Sequence, residues 1–140
     1  MPFVITEDCE ISVLTEAGPA LPLAATLLYS TDDPFAVSVL LRAGEMGDIT
    51  WRFARDLLSQ GVRYPAGDGD VHVWATGRGH HQQLRIRIRG AVDFSHDVEA
   101  TLVFRSADVN QFLSRTYRLV TRGQEAIDFD RELSMLLAEG

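Results

Sequence analysis

Three short stretches of the 140-residue chain hold the residues from which chemistry could be built. In "PAGDGDVH" (65–72), Asp68 and Asp70 flank Gly69 and His72 follows two residues on. Two carboxylates and an imidazole could ligate a metal ion, and the glycines could cradle a phosphate. A Ca²⁺ loop, however, needs more oxygen ligands over a longer span, closed by a bidentate glutamate. A phosphate loop needs Gly-Lys-Ser/Thr running into a helix, whereas this loop has no lysine and runs into a strand. The stretch therefore reads as a turn, with Gly67 and Gly69 supplying backbone angles forbidden to other residues and Asp68 closing it. A hydrolase built on Asp68, Asp70 and His72 would need bound metal.

The second stretch, "GRGHHQ" (77–82), holds His80 and His81. Neighbours on an extended segment face opposite sides, so the two imidazoles cannot easily share one ion, and a polar hairpin tip is the better reading. The third is a run without acidic residues from Thr76 to Gly90, in which Arg85, Arg87 and Arg89 alternate with Leu84, Ile86 and Ile88. This places a basic stripe on one sheet face. With Trp74 beside it, the stripe could take the phosphates of a single-stranded nucleic acid while the indole stacks on a base. The alternative is a solvated face paired with Glu99 across a hairpin. No Gly-x-Ser-x-Gly elbow is present, Cys9 has no activating neighbour, and Asp32 and Asp33 stand before Pro34 as turn residues. No catalytic residue, cofactor or metal site is expected.

The elements that would position these residues follow from periodicity. "EISVLTE", "LAATLLY", "FAVSVLLR" and "ITWRF" read as four strands of an antiparallel meander, with Ile11 and Val13, then Phe35, Val37, Val39 and Leu41, then Ile49, Trp51 and Phe53 on single faces. A short helix follows from about Ala54 to Gln60, with Gly61 as the left-handed residue just past its end. "DVHVWA", "QLRIRIRG" and "HDVEATLVF" are three more strands. Ser106 reads as the N-cap of a helix with Asp108 in its first turn and Val109, Phe112, Leu113 and Tyr117 at helical spacing. A last helix begins near Asp128 and carries Phe129, Leu133, Leu136 and Leu137 at i, i+4, i+7 and i+8. Met135 falls on another face, and Leu133, Met135, Leu136 and Leu137 are candidates for an adaptable partner-binding surface. Segregated strands and helices of this kind make an α+β fold with antiparallel sheets.

The length fits one domain over 1–140, and 46% apolar residues suits a packed core rather than disorder. A formal charge of −7 repels polyanions, so nucleic-acid binding would need a local basic patch. One cysteine excludes an intramolecular disulfide and suits a reducing cytoplasm. The start lacks the basic region and long apolar stretch of a signal peptide. The longest apolar run, "ALPLAATLLY", contains Pro22 and falls short of the roughly 20 residues that span a bilayer, so membrane association is expected only through a partner.

Four stretches, in order, resemble the SsgA-like proteins of actinomycetes. They are "LLYSTDDPFAV" (27–37), "WRFARDLLSQGVRYPAGDGDVHVW" (51–74), "FLSRT" (112–116) and "DFDRELSMLLAEG" (128–140). The resemblance runs from about Cys9 to the end, and none of its motifs is catalytic. It implies a non-enzymatic adaptor in sporulation-specific cell division, positioning or recruiting the tubulin-like protein FtsZ at septum sites together with an SsgA-type protein. It further implies a cytoplasmic protein concentrated at division septa. The implied architecture is like that of the whirly single-stranded-DNA-binding proteins: two antiparallel β-sheets with a short central helix and two C-terminal helices, assembled as a homotrimer. The "RIRIR" run lies outside the family pattern, so any role for it would be particular to this chain.

Overall fold

The computed structural model describes residues 2–126 except 17, 43, 45, 46, 94 and 95, together with Leu137; at 90–93 and 96–98 it describes the backbone alone. Four strands come first: β1 (Val4–Thr15), β2 (Leu21–Ser30), β3 (Ala36–Arg42) and β4 (Asp48–Ala54). Helix α1 (Arg55–Arg63) leads to four more, β5 (Ala66–Asp68), β6 (Val71–Thr76), β7 (Gln83–Asp93) and β8 (His96–Arg105), and then to α2 (Ser106–Leu119). The expected seven strands are all present. The eighth, β5, is a three-residue strand inside the stretch that reads as pure turn.

These strands form one antiparallel sheet in the order β4-β3-β2-β1-β8-β7-β6-β5, not two. The reason lies in β1, which is long enough to pair twice. It pairs with β2 from Val4 to Val13, and its last residues, Ser12 to Thr15, pair with Val103 to Ala100 of β8. The two meanders are thus joined along a seam of four residue pairs. Alternation decides which side chains go inward. Ile11, Leu27, Val39, Leu84, Ile86, Leu102 and Phe104 are buried on one face, where Leu57 and Leu58 of α1 and Val109, Phe112 and Leu113 of α2 pack on them. Each such side chain contributes roughly 1.5–3 kcal/mol of burial. Phe35, expected inward, precedes β3 and is half exposed.

Three local expectations are corrected. Helix α1 does not stop at Gly61; it runs to Arg63 and ends at Tyr64, before Pro65. Gly61 is helical, and a Cβ there would lie 2.1 Å from Val73 Cγ1, so glycine is needed for close approach of α1 to β6 rather than for a left-handed turn. Gly67 likewise has no positive φ; a Cβ would meet the His72 ring at 2.6 Å. Of these three glycines, Gly69, φ +59°, is the one with a positive φ, as the first central residue of the two-residue turn joining β5 to β6. Ser106 is the first residue of α2 rather than its cap: Arg105 holds the cap position, and Ser106 is buried with its Oγ unpartnered. Asp108 does sit in the first turn. Besides α1 and α2 there is a 3₁₀ turn at Gly79–His81, and Glu125, Ala126 and Leu137 are also helical among the described residues. The last expected helix, with Phe129, Leu133, Met135 and Leu136, lies outside them; Leu137 is 73% exposed. Among the described residues no helix is long and apolar enough to cross a membrane.

Candidate functional site

The outer face of β6, β7 and β8 gathers most of the residues singled out by sequence. Register sets Trp74 opposite Arg85 and His72 opposite Arg87, with Glu99 opposite Arg89 on the far side. The three arginines do share one face, but two of them share one carboxylate. Arg89 Nη2 lies 3.3 Å from Glu99 Oε2 and Arg87 Nε lies 3.9 Å from Glu99 Oε1. Arg85 Nε donates to Thr76 Oγ1 at 3.4 Å. The Arg87 guanidinium lies 5.6 Å from the Trp74 ring centroid, over the indole that a nucleobase would need. A cleft of about 330 Å³ beside this row is lined by Gly69, Asp70, His72, Arg87, Arg89 and Glu99, so each cation sits near an anion. The face is a mixed ionic surface, and the solvated, paired reading describes it better than a phosphate track.

His80 and His81 sit at the tip of the β6–β7 hairpin, as expected, but on the 3₁₀ turn rather than on extended backbone, and their ring centroids are 4.1 Å apart. Among the described residues, no three His, Cys, Asp or Glu side chains converge as a ligand set. Asp68 pairs with Val71, and His72 stands opposite Gly67, which fixes "PAGDGDVH" as a hairpin. Cys9 is buried in the core. Burial, helped by Asp108, Glu7 and Asp8, pushes its thiol up to about 12, so little thiolate forms near neutrality.

Sequence reasoning missed Arg55. A charge at a helix start, followed by Asp56, reads as a solvated end, yet Arg55 is 1% exposed. Its Nη1 donates to the carbonyl of Val120 (2.8 Å), the C-cap of α2, and to that of Thr116 (3.2 Å), which also accepts the Val120 N–H. Its Nη2 meets Glu125 Oε1 at 2.8 Å, and its guanidinium stacks 4.0 Å from the Tyr117 ring centroid and 4.9 Å from that of Tyr29. Burial alone would raise the Glu125 pKa; hydrogen bonds from its own N–H, Arg55 and the Gly123 N–H outweigh it and hold the carboxyl below the usual value. One cation thus ties α1, the end of α2 and the segment after it. The one signal available was "FARDLL" itself, where Arg55 alternates with buried Phe53 and Leu57.

Residues 23–125 match the family described as "Streptomyces sporulation and cell division protein, SsgA". The chain belongs to this SsgA family. Its relatives include the sporulation-specific cell division protein SsgB of Frankia casuarinae, 37% identical with 97% of this chain and 93% of that one covered. SsgB of Streptomyces coelicolor is 38% identical, with 96% and 97% covered. The crystal structure of the SsgA-like sporulation-specific cell division protein of Thermobifida fusca superposes with a TM-score of 0.84 at 29% identity, covering 97% of this chain and 96% of that one. A structure solved in connection with SsgB mutations and longitudinal cell division during sporulation of Streptomyces coelicolor gives 0.81 at 30%, covering 92% and 98%. The SsgA family resemblance read from the four motifs is therefore correct, and the family is one of sporulation and cell division proteins.

Proposed function

We propose that the protein is a non-enzymatic adaptor of sporulation septation that binds FtsZ, directly or through an SsgA-type protein, and positions it at septum sites. Likeness along almost the whole chain to proteins named for sporulation-specific cell division carries this reading. The mixed ionic face of β6–β8 supports it, because paired exposed charges suit recognition of another protein better than binding of a polyanion. In this reading the protein works as a homotrimer of whirly-like subunits gathered at septa. Purified protein is expected to co-sediment with FtsZ polymers or to be retained by an immobilised SsgA-type protein. Retention by neither would overturn the proposal, and sedimentation velocity tests the trimer separately. Nothing in the geometry favours the nucleic-acid alternative, since Glu99 answers two of the three arginines it needs.

A further inference from the structure

The first half of β1 has one backbone edge with no strand along it among the described residues. Phe3 bonds toward β2, accepting the Thr31 N–H at 3.0 Å and donating its own N–H to Thr31 Oγ1 at 2.9 Å. Residues of an antiparallel strand alternate in the side to which their N–H and C=O point. Val4, Thr6 and Asp8 therefore direct theirs away from β2. Along that side β8 pairs only with Ser12–Thr15, so the first half of β1 has no strand beside it among the described residues. One contact marks the vacancy: Arg115 Nη1 donates to the Thr6 carbonyl at 3.0 Å, where a neighbouring strand's N–H would stand.

This edge forms one wall of a groove of about 350 Å³. Its lining is Phe3 just before β1, Val4 and Ile5 of β1, and Arg115, Arg118 and Leu119 of α2. Phe3 is 66% exposed and Val4 55%, large apolar surface placed directly on an open edge. Arg115 is already matched by Glu7 at 3.1 Å. Arg118 has no ion-pair or hydrogen-bond partner among the described residues, which leaves the groove one uncompensated positive charge.

We propose that this groove binds an extended segment of a partner protein, which adds a strand to the first half of β1. The segment's backbone pairs with Val4, its N–H takes the Thr6 carbonyl in place of Arg115 Nη1, its apolar side chains cover Phe3 and Leu119, and a carboxylate meets Arg118. A twofold pairing of β1 with β1 of another copy would bring a second unpaired Arg118 to the same place, so like charge disfavours a self-pair. The inference rests on the adaptor reading for the existence of a partner, not for its being FtsZ.

The test uses the full chain and a short synthetic peptide alternating valine and threonine with two glutamates, followed by fluorescence anisotropy. The glutamate peptide is expected to bind, and its lysine counterpart to bind about tenfold more weakly. Methylation of alternate peptide nitrogens should abolish binding. Arg118→Glu should invert the charge preference. Val4→Pro should remove binding with little change in melting temperature, because the lost N–H is outside the β1–β2 ladder. The proposal is overturned if the glutamate peptide does not bind, if the methylated or lysine peptide binds equally well, or if Arg118→Glu leaves the preference unchanged. It is also overturned if the amides of Val4, Thr6 and Asp8 are already protected from hydrogen exchange in the free protein, since another part of the chain or a second copy then fills the edge. No arm contains FtsZ, so a failure here and a failure of the septation reading are told apart.

Discussion

Arg55 sets a guanidinium among two tyrosine rings, two helix-end carbonyls and one carboxylate, with 1% of its side chain exposed. Removing one member of a buried pair leaves the other charged and unanswered, which costs about 3–5 kcal/mol. Arg55→Ala is expected to lose stability on that scale in urea denaturation, and Arg55→Met with Glu125→Leu to lose less than Arg55→Met alone. The pair also sets an acid limit. The folded pKa of Glu125 is lowered from its ordinary 4.5, so its contribution is fully present above that value and is lost as pH falls through the folded value. Glu125→Gln should therefore flatten the loss of stability below about pH 4.5. Cys9 offers a separate check: with its thiol pushed up to about 12, native protein at pH 8 should react with a thiol reagent far more slowly than denatured protein.

At the scale of elements, two glycines of one segment do different work. Gly61 is helical and lies against Val73; Gly69 has φ +59° and open space around it. Gly61→Ala is expected to cost about 1–3 kcal/mol by overpacking, partly relieved by Val73→Ala. Gly69→Val should destabilise through the backbone, and Gly69→Asn by less, because asparagine tolerates a positive φ better than a β-branched residue does. Thermal melts of the four variants separate the two causes. The sequence could not separate them. A glycine late in an amphipathic run suits a helix stop and a packing contact equally, and the difference lies in Val73, a strand away. The strands with clean alternation, such as β7 with Leu84, Ile86 and Ile88 inward, were legible because period two needs no tertiary information. β5 was not, since two of the residues in "AGDG" are glycines and no alternation can show. Of the candidate site, the arginine face was legible and its meaning was not. Pairing with Glu99 depends on register between β7 and β8, a non-local property. Arg55 stayed hidden for the same reason, as its partners lie in α2 and beyond.

For the molecule as a whole, the seam between β1 and β8 is short, while α1 and α2 pack across the common core. Shared burial makes the halves dependent on one another, and one cooperative transition follows. The two tryptophans report on it, Trp51 in β4 near one edge of the sheet and Trp74 in β6 near the other. Variants Trp51→Phe and Trp74→Phe, each read by the remaining indole, should give the same denaturation midpoint once their stabilities are matched. Separate midpoints within one variant, fluorescence against circular dichroism, would show halves that unfold independently.

The position of β1 also bears on how the chain leaves the ribosome. β1 is made first, and its first partner, β2, emerges next, so the β1–β4 meander can zip as it appears. Its other partner is β8, the last strand made: Ser12 must wait for Val103. Throughout synthesis of the second half, the whole outer edge of β1 is bare. Among the described residues, closing the seam covers Ser12 to Thr15. The stretch near Val4, which no described strand covers, is thus the remainder of a nascent-chain hazard, and slow codons or a chaperone acting late in translation would influence the yield of this protein more than events at its start.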